Sequence, residues 1–294
     1  MHKLEFRDVM LRYDDGRHGA DGLLALESLS LVVDVGESLA IIGPSGCGKS
    51  STLQMAAGLV RPSSGEVLVD GQLITKPRQK TALILQDFGL LPWKTVLANA
   101  ELGLKVRGVD REQREAKARE ALGLVGLADF AHAYPGELSG GMQQRLALAR
   151  SIALDVDLLL MDEPLSALDA LLREQLQDTL LELWHKEGYA QLLVTHSIDE
   201  AVYLGRRIVV LSARPGHVVG VLDNPAMGKA AYRGSSAYYE LCNEIRALLR
   251  DFDIPGSLSA AGVTAEKIPL MAADAMKSGN ILANPRQSTI QDVE

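Results

Sequence analysis

Cysteines, aromatic residues and long apolar runs are all scarce in this chain. Two cysteines among 294 residues, Cys47 and Cys242, are too few for a disulfide framework, so a reducing compartment is the expected setting. Aromatic residues make up only 4%, which makes any local aromatic cluster conspicuous. Cations are in deficit: 30 Lys+Arg stand against 38 Asp+Glu, for a net charge of −8. Broad electrostatic binding of nucleic acid rests on the opposite balance, and no nucleic-acid partner is expected. No apolar run approaches the roughly 20 residues that cross a bilayer. No N-terminal stretch joins a charged head, an apolar middle and a small-residue cleavage site. The expectation is a chain soluble by itself, with any membrane role supplied by a partner. A hydrophobic share of 47% is ample for the core of one or two domains.

The segment Gly43-Pro44-Ser45-Gly46-Cys47-Gly48-Lys49-Ser50-Ser51 lies between an apolar run, Leu39-Ala40-Ile41-Ile42, and a helix-compatible run over residues 52–59. A glycine-rich loop between a buried strand and a helix is the context of a phosphate-binding P-loop. Glycines let the backbone curl so that successive N–H groups form an anion nest, and the helix dipole adds positive potential beneath it. In that pattern Lys49 reaches the β- and γ-phosphates and the Ser50 hydroxyl holds Mg²⁺. A bound nucleotide is then expected to shield the Cys47 thiol from modification.

Residues 3–13 and 27–34 alternate apolar and polar positions and, with residues 66–71, predict a small antiparallel sheet. Tyr13 ends the first of these strands, where its ring is placed either to stack on adenine or simply to close the strand. Short apolar strands are predicted at residues 81–85, 156–161, 191–195 and 207–212. The first ends at Gln86, the second at Asp162-Glu163, the third at His196. Adjacent carboxylates at a strand end point to opposite sides, so one can face a metal shell and the other a water. His196 alone reads as easily as a structural residue. Between these strands, residues 95–125 are helical in pattern, with Asp110 as a cap. Ser139-Gly140-Gly141 opens a strong helix over residues 142–150, either as an ordinary cap or as a second anion-binding N-terminus. Asp169 begins a long helix on which Leu171, Leu172, Leu176, Leu180, Leu181 and Leu183 are assigned to the core face. Residues 236–252 predict an amphipathic helix, and the tail beyond reads as loosely ordered or as a docking extension.

In this order the motifs resemble the ATP-binding subunit of an ABC transporter over residues 3–222. Residues 43–50 resemble Walker A, Gln86 the Q-loop, residues 138–144 the signature, residues 159–162 Walker B. Glu163 takes the place of the catalytic carboxylate, residues 166–169 the D-loop, and His196 the switch histidine. Residues 90–97 and 213–216 resemble importers of the nitrate, sulfonate and taurine type. The resemblance implies an α/β P-loop NTPase (RecA-like) core with an antiparallel β subdomain and a helical insertion. The ATP-binding domain is placed at residues 1–225, its insertion at about 88–152, and a C-terminal helix and tail at 226–294.

It also implies an ATPase. Lys49 and Mg²⁺, held by Ser50 with Gln86 and Asp162 nearby, would neutralise the triphosphate; Glu163 would activate water, and Gln86 and His196 would sense the γ-phosphate. Tyr13, residues 43–51 and Ser139, Gly140 and Gly141 form the nucleotide-binding set. The signature residues of one copy are expected to close on the ATP of a second, with Asp169 coupling the two sites. Phe88, Leu90, Leu91 and Trp93 either line a groove for a permease helix or pack the insertion. The implied partners are a second copy, transmembrane permease subunits and, through them, an extracytoplasmic solute-binding protein. The implied location is peripheral, on the cytoplasmic face of the inner membrane. A soluble ABC-type ATPase, an exporter ATPase and a small-molecule kinase are the competing readings.

Overall fold

The computed structural model describes residues 1–13, 22–229 and 231–251. Met1–Leu249 form one compact unit and Arg250–Glu294 another. The expectation for the C-terminal tail lies outside the described residues.

Two sheets make the first unit. β1 (His2–Tyr13), β2 (Leu23–Asp34), β4 (Ser64–Val69) and β5 (Gln72–Leu73) form an antiparallel sheet in the order β2-β1-β4-β5. The second contains β3 (Ser38–Ile42), β6 (Thr81–Ile84), β7 (Leu158–Asp162), β8 (Ala190–Thr195), β9 (Arg207–Leu211) and β10 (Val218–Asp223). Its order is β10-β9-β3-β8-β7-β6, parallel throughout except for the antiparallel edge strand β10.

Every residue of β3, β7 and β8 is buried, as expected of parallel strands covered on both faces. Alternation splits them between two cores. Leu39, Ile41, Leu158, Leu160, Leu192 and Val194 face the antiparallel sheet and α1 (Lys49–Ala56). Ala40, Ile42, Leu159, Met161 and Leu193 face the core built by most of the other helices. Those helices are α2 (Val96–Ala100), α3 (Leu102–Val106), α4 (Arg111–Leu124), α5 (Gly140–Ile152), α6 (Ala170–Glu187), α7 (Ile198–Leu204) and α8 (Ser236–Asp251). The chain from α2 to α5 runs between β6 and β7 as a helical insertion. α4 is capped by Asp110, whose carboxylate accepts from the N–H groups of Glu112 and Gln113 at 3.1 Å each.

One expectation fails on α6. Leu176 and Leu180 are buried, but Leu171 is 76% exposed. Leu171 lies about half a helical turn around the axis from Leu180, so both cannot face the same core.

A buried side chain knits the end of the loop before α2. Asn99 is fully buried. Its Oδ1 accepts from Leu91 N at 2.8 Å, and its Nδ2 donates to the carbonyls of Leu91, Lys94 and Thr95 at 3.0–3.1 Å. Four backbone groups thus meet one amide. Asn99→Ala is expected to destabilise the fold by about 2 kcal/mol, because Leu91 N and the Lys94 carbonyl lose their partner inside the protein, while the Leu91 and Thr95 carbonyls keep the N–H groups of Lys94 and residue 99. Thermal melts together with faster amide hydrogen exchange across residues 91–95 would check this.

Candidate functional site

The parallel strands end level with one another. Ile42 of β3 pairs with Thr195 of β8, Val194 with Asp162 of β7, and Met161 with Ile84 of β6. The residues that follow therefore emerge along one edge, where open parallel sheets bind ligands.

After β3 the chain forms the glycine-rich loop, and α1 begins at Lys49. Gly48 has φ +95°, and a Cβ there would lie 2.6 Å from the Leu26 side chain, so only glycine fits. The turn after β9 supports the loop from behind: a Cβ on Gly216 would come within 1.9 Å of the Cys47 carbonyl oxygen. The Lys49 ammonium is held above the loop by the carbonyls of Gly43 and Pro44, at 2.8 and 2.9 Å. Tyr13 donates its hydroxyl to Ser51 Oγ at 3.0 Å, which sets its ring beside the loop. The Cys47 thiol is fully buried, and burial pushes its pKa up. The protein itself encloses this thiol, so the expected nucleotide protection of Cys47 does not apply.

Ser50 Oγ donates to Asp162 Oδ1 at 3.1 Å. Burial raises the Asp162 carboxyl pKa, the Ser50 bond and Lys49 oppose the rise, and the neighbouring Glu163 adds to it. A hydroxyl and a carboxylate side by side beneath a phosphate-binding loop are hard oxygen donors, the set that suits Mg²⁺.

Gln86, Glu163 and His196, from the ends of three adjacent strands, come together. His196 Nδ1 lies 3.0 Å from Glu163 Oε1, and Gln86 Nε2 reaches towards Glu163 Oε2 at 3.5 Å. Glu163 N donates to Val194 O at 2.9 Å, extending the β7–β8 ladder, and then turns out of the strand with φ +48°. A left-handed conformation is uncommon for a residue other than glycine and costs about 1–2 kcal/mol.

Ser139 caps α5, its Oγ accepting from Met142 N at 3.3 Å. Ser139 and Gly140 are exposed, and a Cβ on Gly140 would meet nothing within 4 Å. Among the described residues, no hydrogen bond joins Ser139, Gly140 or Gly141 to residues 43–51. The sequence-predicted residues thus form a cluster at the sheet edge and an exposed helix end that makes no hydrogen bond to the glycine-rich loop among the described residues. Trp93 is 70% exposed on the loop that Asn99 holds, whereas Leu90 packs partly against the core. Trp93 therefore does not pack the insertion.

Glu200, unremarked in the sequence, anchors the turn that carries His196. Thr195 donates its hydroxyl to Glu200 Oε2, Ser197 N donates to Thr195 Oγ1 at 3.0 Å, and Glu200 N donates to Ser197 Oγ at 3.3 Å. Both neighbours of the histidine are tied to one residue. The Ser197-x-x-Glu200 spacing is a helix-start signal that was legible in the sequence.

A parallel sheet with a P-loop after one strand and polar residues at the ends of the next defines a P-loop nucleoside triphosphatase. Comparison with known proteins narrows this class. The ABC transporter family model matches residues 26–166. An uncharacterized ABC transporter ATP-binding protein of Methanocaldococcus jannaschii is 43% identical over 227 residues, 77% of this chain and 85% of that protein. Taurine import ATP-binding proteins named TauB are similar too. The one from Rhizobium johnstonii is 44% identical over 76% of this chain and 88% of its own length. The one from Burkholderia pseudomallei is 46% identical over 74% and 83%. Among solved structures, the dimeric post-hydrolysis state of the ATP-binding cassette MJ0796 bound to ADP and Pi has a TM-score of 0.68 and 32% identity, covering 75% of this chain and 98% of that one. The chain belongs to the ATP-binding subunits of ABC transporters and is an ABC-type ATPase. The Fe-containing alcohol dehydrogenase family, C-terminal model matches residues 214–294, of which the described part forms β10 and α8; α8 packs on the cassette core through Tyr238, Cys242 and Ile245.

Glu200 gives this site a pH signature. Burial pushes its carboxyl from the ordinary 4.5 up to about 7; the Thr195 bond, Arg173 and His196 pull it down, and Glu163 raises it. The folded protein thus holds a proton here that the unfolded chain has lost. Its contribution to stability is complete below the unfolded pKa and disappears as pH rises through about 7. Glu200→Gln is expected to flatten the fall in melting temperature between about pH 5 and pH 8 and to melt a few degrees higher at the alkaline end. Differential scanning calorimetry across that range checks the slope.

Proposed function

We propose that this chain is the ATP-hydrolysing subunit of an importer for small solutes of the nitrate, sulfonate or taurine type. On this reading it works as a homodimer on the cytoplasmic face of the inner membrane, docked on transmembrane permease subunits that receive solute from an extracytoplasmic binding protein. The taurine import ATP-binding proteins among its relatives support the importer class. No helix among the described residues is long and apolar enough to cross a membrane, which suits a peripheral subunit that relies on partners for the span.

The observation that carries this reading is the half-built site. Gln86, Glu163 and His196 gather beside the P-loop, while Ser139 and Gly140 lie exposed at a separate helix end. The missing side of each site is the serine-led helix end of a second copy. There the free N–H groups and the positive end of α5 would meet the γ-phosphate.

Residues 43–51 cradle the phosphates, Lys49 exchanges its two loop carbonyls for phosphate oxygens, and the Tyr13 ring stacks on the base. Ser50 would hold Mg²⁺, with Gln86 and Asp162 around it, and the ion supplies charge neutralisation to the triphosphate. Glu163 orients and deprotonates the attacking water; phosphoryl transfer needs that placement more than covalent help. His196 and Gln86, both reaching for the Glu163 carboxylate, hold it in line and register the γ-phosphate. Asp169 lies on the loop that would face the twin site. Hydrolysis removes contacts made only by the closed dimer, and the dimer opens.

The exposed Trp93, with Phe88, Leu90 and Leu91 around it, is the surface on which a permease helix would seat. An aromatic anchor on a rigid loop suits such a contact.

With ATP, Glu163→Gln is expected to accumulate as a dimer while hydrolysing at least about a hundredfold more slowly than the wild type, and Lys49→Ala should stay monomeric. Light scattering with phosphate release reads both, and a monomeric Glu163→Gln at saturating ATP would remove the shared-site reading. Trp93→Asp should keep this ATP-driven dimerisation and lose the acceleration of hydrolysis by permease in reconstituted membranes. Full stimulation of Trp93→Asp would place the permease elsewhere.

A further inference from the structure

Gln144 is only 2% exposed, yet nothing in the chemistry above uses it. Its side-chain amide makes two hydrogen bonds across one loop. Nε2 donates to the Glu163 carbonyl at 3.1 Å, and Oε1 accepts from Ala167 N at 3.0 Å. Ser166 Oγ donates to the same Glu163 carbonyl at 3.1 Å. This is the carbonyl of the residue with φ +48°, so the amide grips the backbone where it leaves its usual conformation.

Gln144 does not act from an isolated position. Gly141, one helical turn earlier, presents the same face of α5 to the same loop. A Cβ on Gly141 would come within 3.1 Å of the Leu168 side chain, so Leu168 rests closely on the helix there. From the other side Arg173 donates to the Leu165 and Leu168 carbonyls at 3.3 and 2.7 Å. The loop over residues 163–168 is therefore clamped between α5 and α6. Its first residue carries the carboxylate that meets Gln86 and His196. Gln144 follows the cap Ser139 by five residues, about 7.5 Å along a rigid helix.

We propose that Gln144 is a positioning residue for ATP hydrolysis: it locks the 163–168 loop to the signature helix and so aims the Glu163 carboxylate. This rests on Glu163 acting as the general base. Any rotation of α5 when its serine-led end engages a nucleotide is then delivered to the backbone of Glu163 in the same chain. The signature helix becomes a rod with a contact at each end, not merely a wall of the partner's site.

Gln144→Met keeps length and burial and removes both hydrogen bonds. In the full chain it is expected to lower kcat by between about tenfold and a hundredfold while KM for ATP stays within about twofold. The double variant Gln144→Met/Glu163→Gln should be no slower than Glu163→Gln alone, because the two act as a unit. A wild-type kcat in Gln144→Met overturns the proposal. So does a fall in kcat matched by an equal loss of ATP affinity, which marks general damage. If Gln144→Met fails to fold, Gln144→Glu gives the answer: it keeps the acceptor for Ala167 and sets a carboxylate against the Glu163 carbonyl. The same loss of kcat is expected from it, and wild-type kcat again overturns the proposal. An active Glu163→Gln removes the base assignment and the proposal with it; an inactive Glu163→Gln beside a fully active Gln144→Met removes only the proposal.

Discussion

The register of the parallel sheet is the constraint on which everything at this site depends. Adjacent strands end within a residue of one another; β6, β7 and β8 each deliver a polar side chain in the first one or two residues beyond the last pair, and β3 runs into the glycine-rich loop. A slip of one residue in any strand would turn its side chains to the opposite face and withdraw its polar end from the cluster. Two separate apolar cores prevent that slip. Ile41 must face the antiparallel sheet and Ile42 the helices, and the same division runs through Leu158 to Met161 and through Leu192 to Val194. Hydrophobic burial thus fixes hydrogen-bonding groups to within the tolerance that in-line phosphoryl transfer demands.

Polar groups inside that edge are held by one another. Asp162 leans on Ser50, Glu163 on His196 and Gln86, Glu200 on Thr195. Burial raises the pKa of Asp162 and Glu200, which shows that these carboxyls sit where charge is disfavoured. A phosphate-bound cation above Asp162 would add to the pull of Lys49 and oppose that preference locally. The site is therefore built to receive its complement of charge from the nucleotide complex. The Glu200 oxygen that has no hydrogen-bond partner belongs to the same economy, since a protonated carboxyl tolerates such a place and a carboxylate does not.

Much of this was legible in the sequence, for a physical reason. P-loop, strand ends and helix caps are local patterns: glycines at fixed offsets, apolar runs of strand length, Asp110 and Ser139 at helix starts. Tyr13 was legible as a strand end and only the fold brought its hydroxyl to Ser51. Asn99 and Arg173 were not legible, because each serves backbone groups several residues away and carries no spacing signature; Gln144 was legible as the last residue of the signature run, but not as a partner of the Glu163 carbonyl. Leu171 shows the opposite error. A leucine-rich helix offers more apolar residues than one face can hold, and composition alone does not say which is left in solvent. Cys47 taught a similar lesson: its place in the loop was plain, its inward direction was not.

The separation between the two groups of nucleotide-binding residues decides what kind of machine the proposed cycle allows. Were Ser139 and Gly140 folded against the P-loop of their own chain, ATP would bind a complete site, and binding would change nothing beyond it. Exposed at the start of α5, they would, in the proposed cycle, meet a γ-phosphate by bringing a second body into contact. A ligand shifts an equilibrium only by what it binds differently in the two states, and here the whole contribution of the signature end belongs to the closed one. The loss of a single phosphate then removes that difference at once. The same rod that reports closure is anchored at Gln144 to the carboxylate residue proposed to end it, so the arrangement that makes the dimer also times its release.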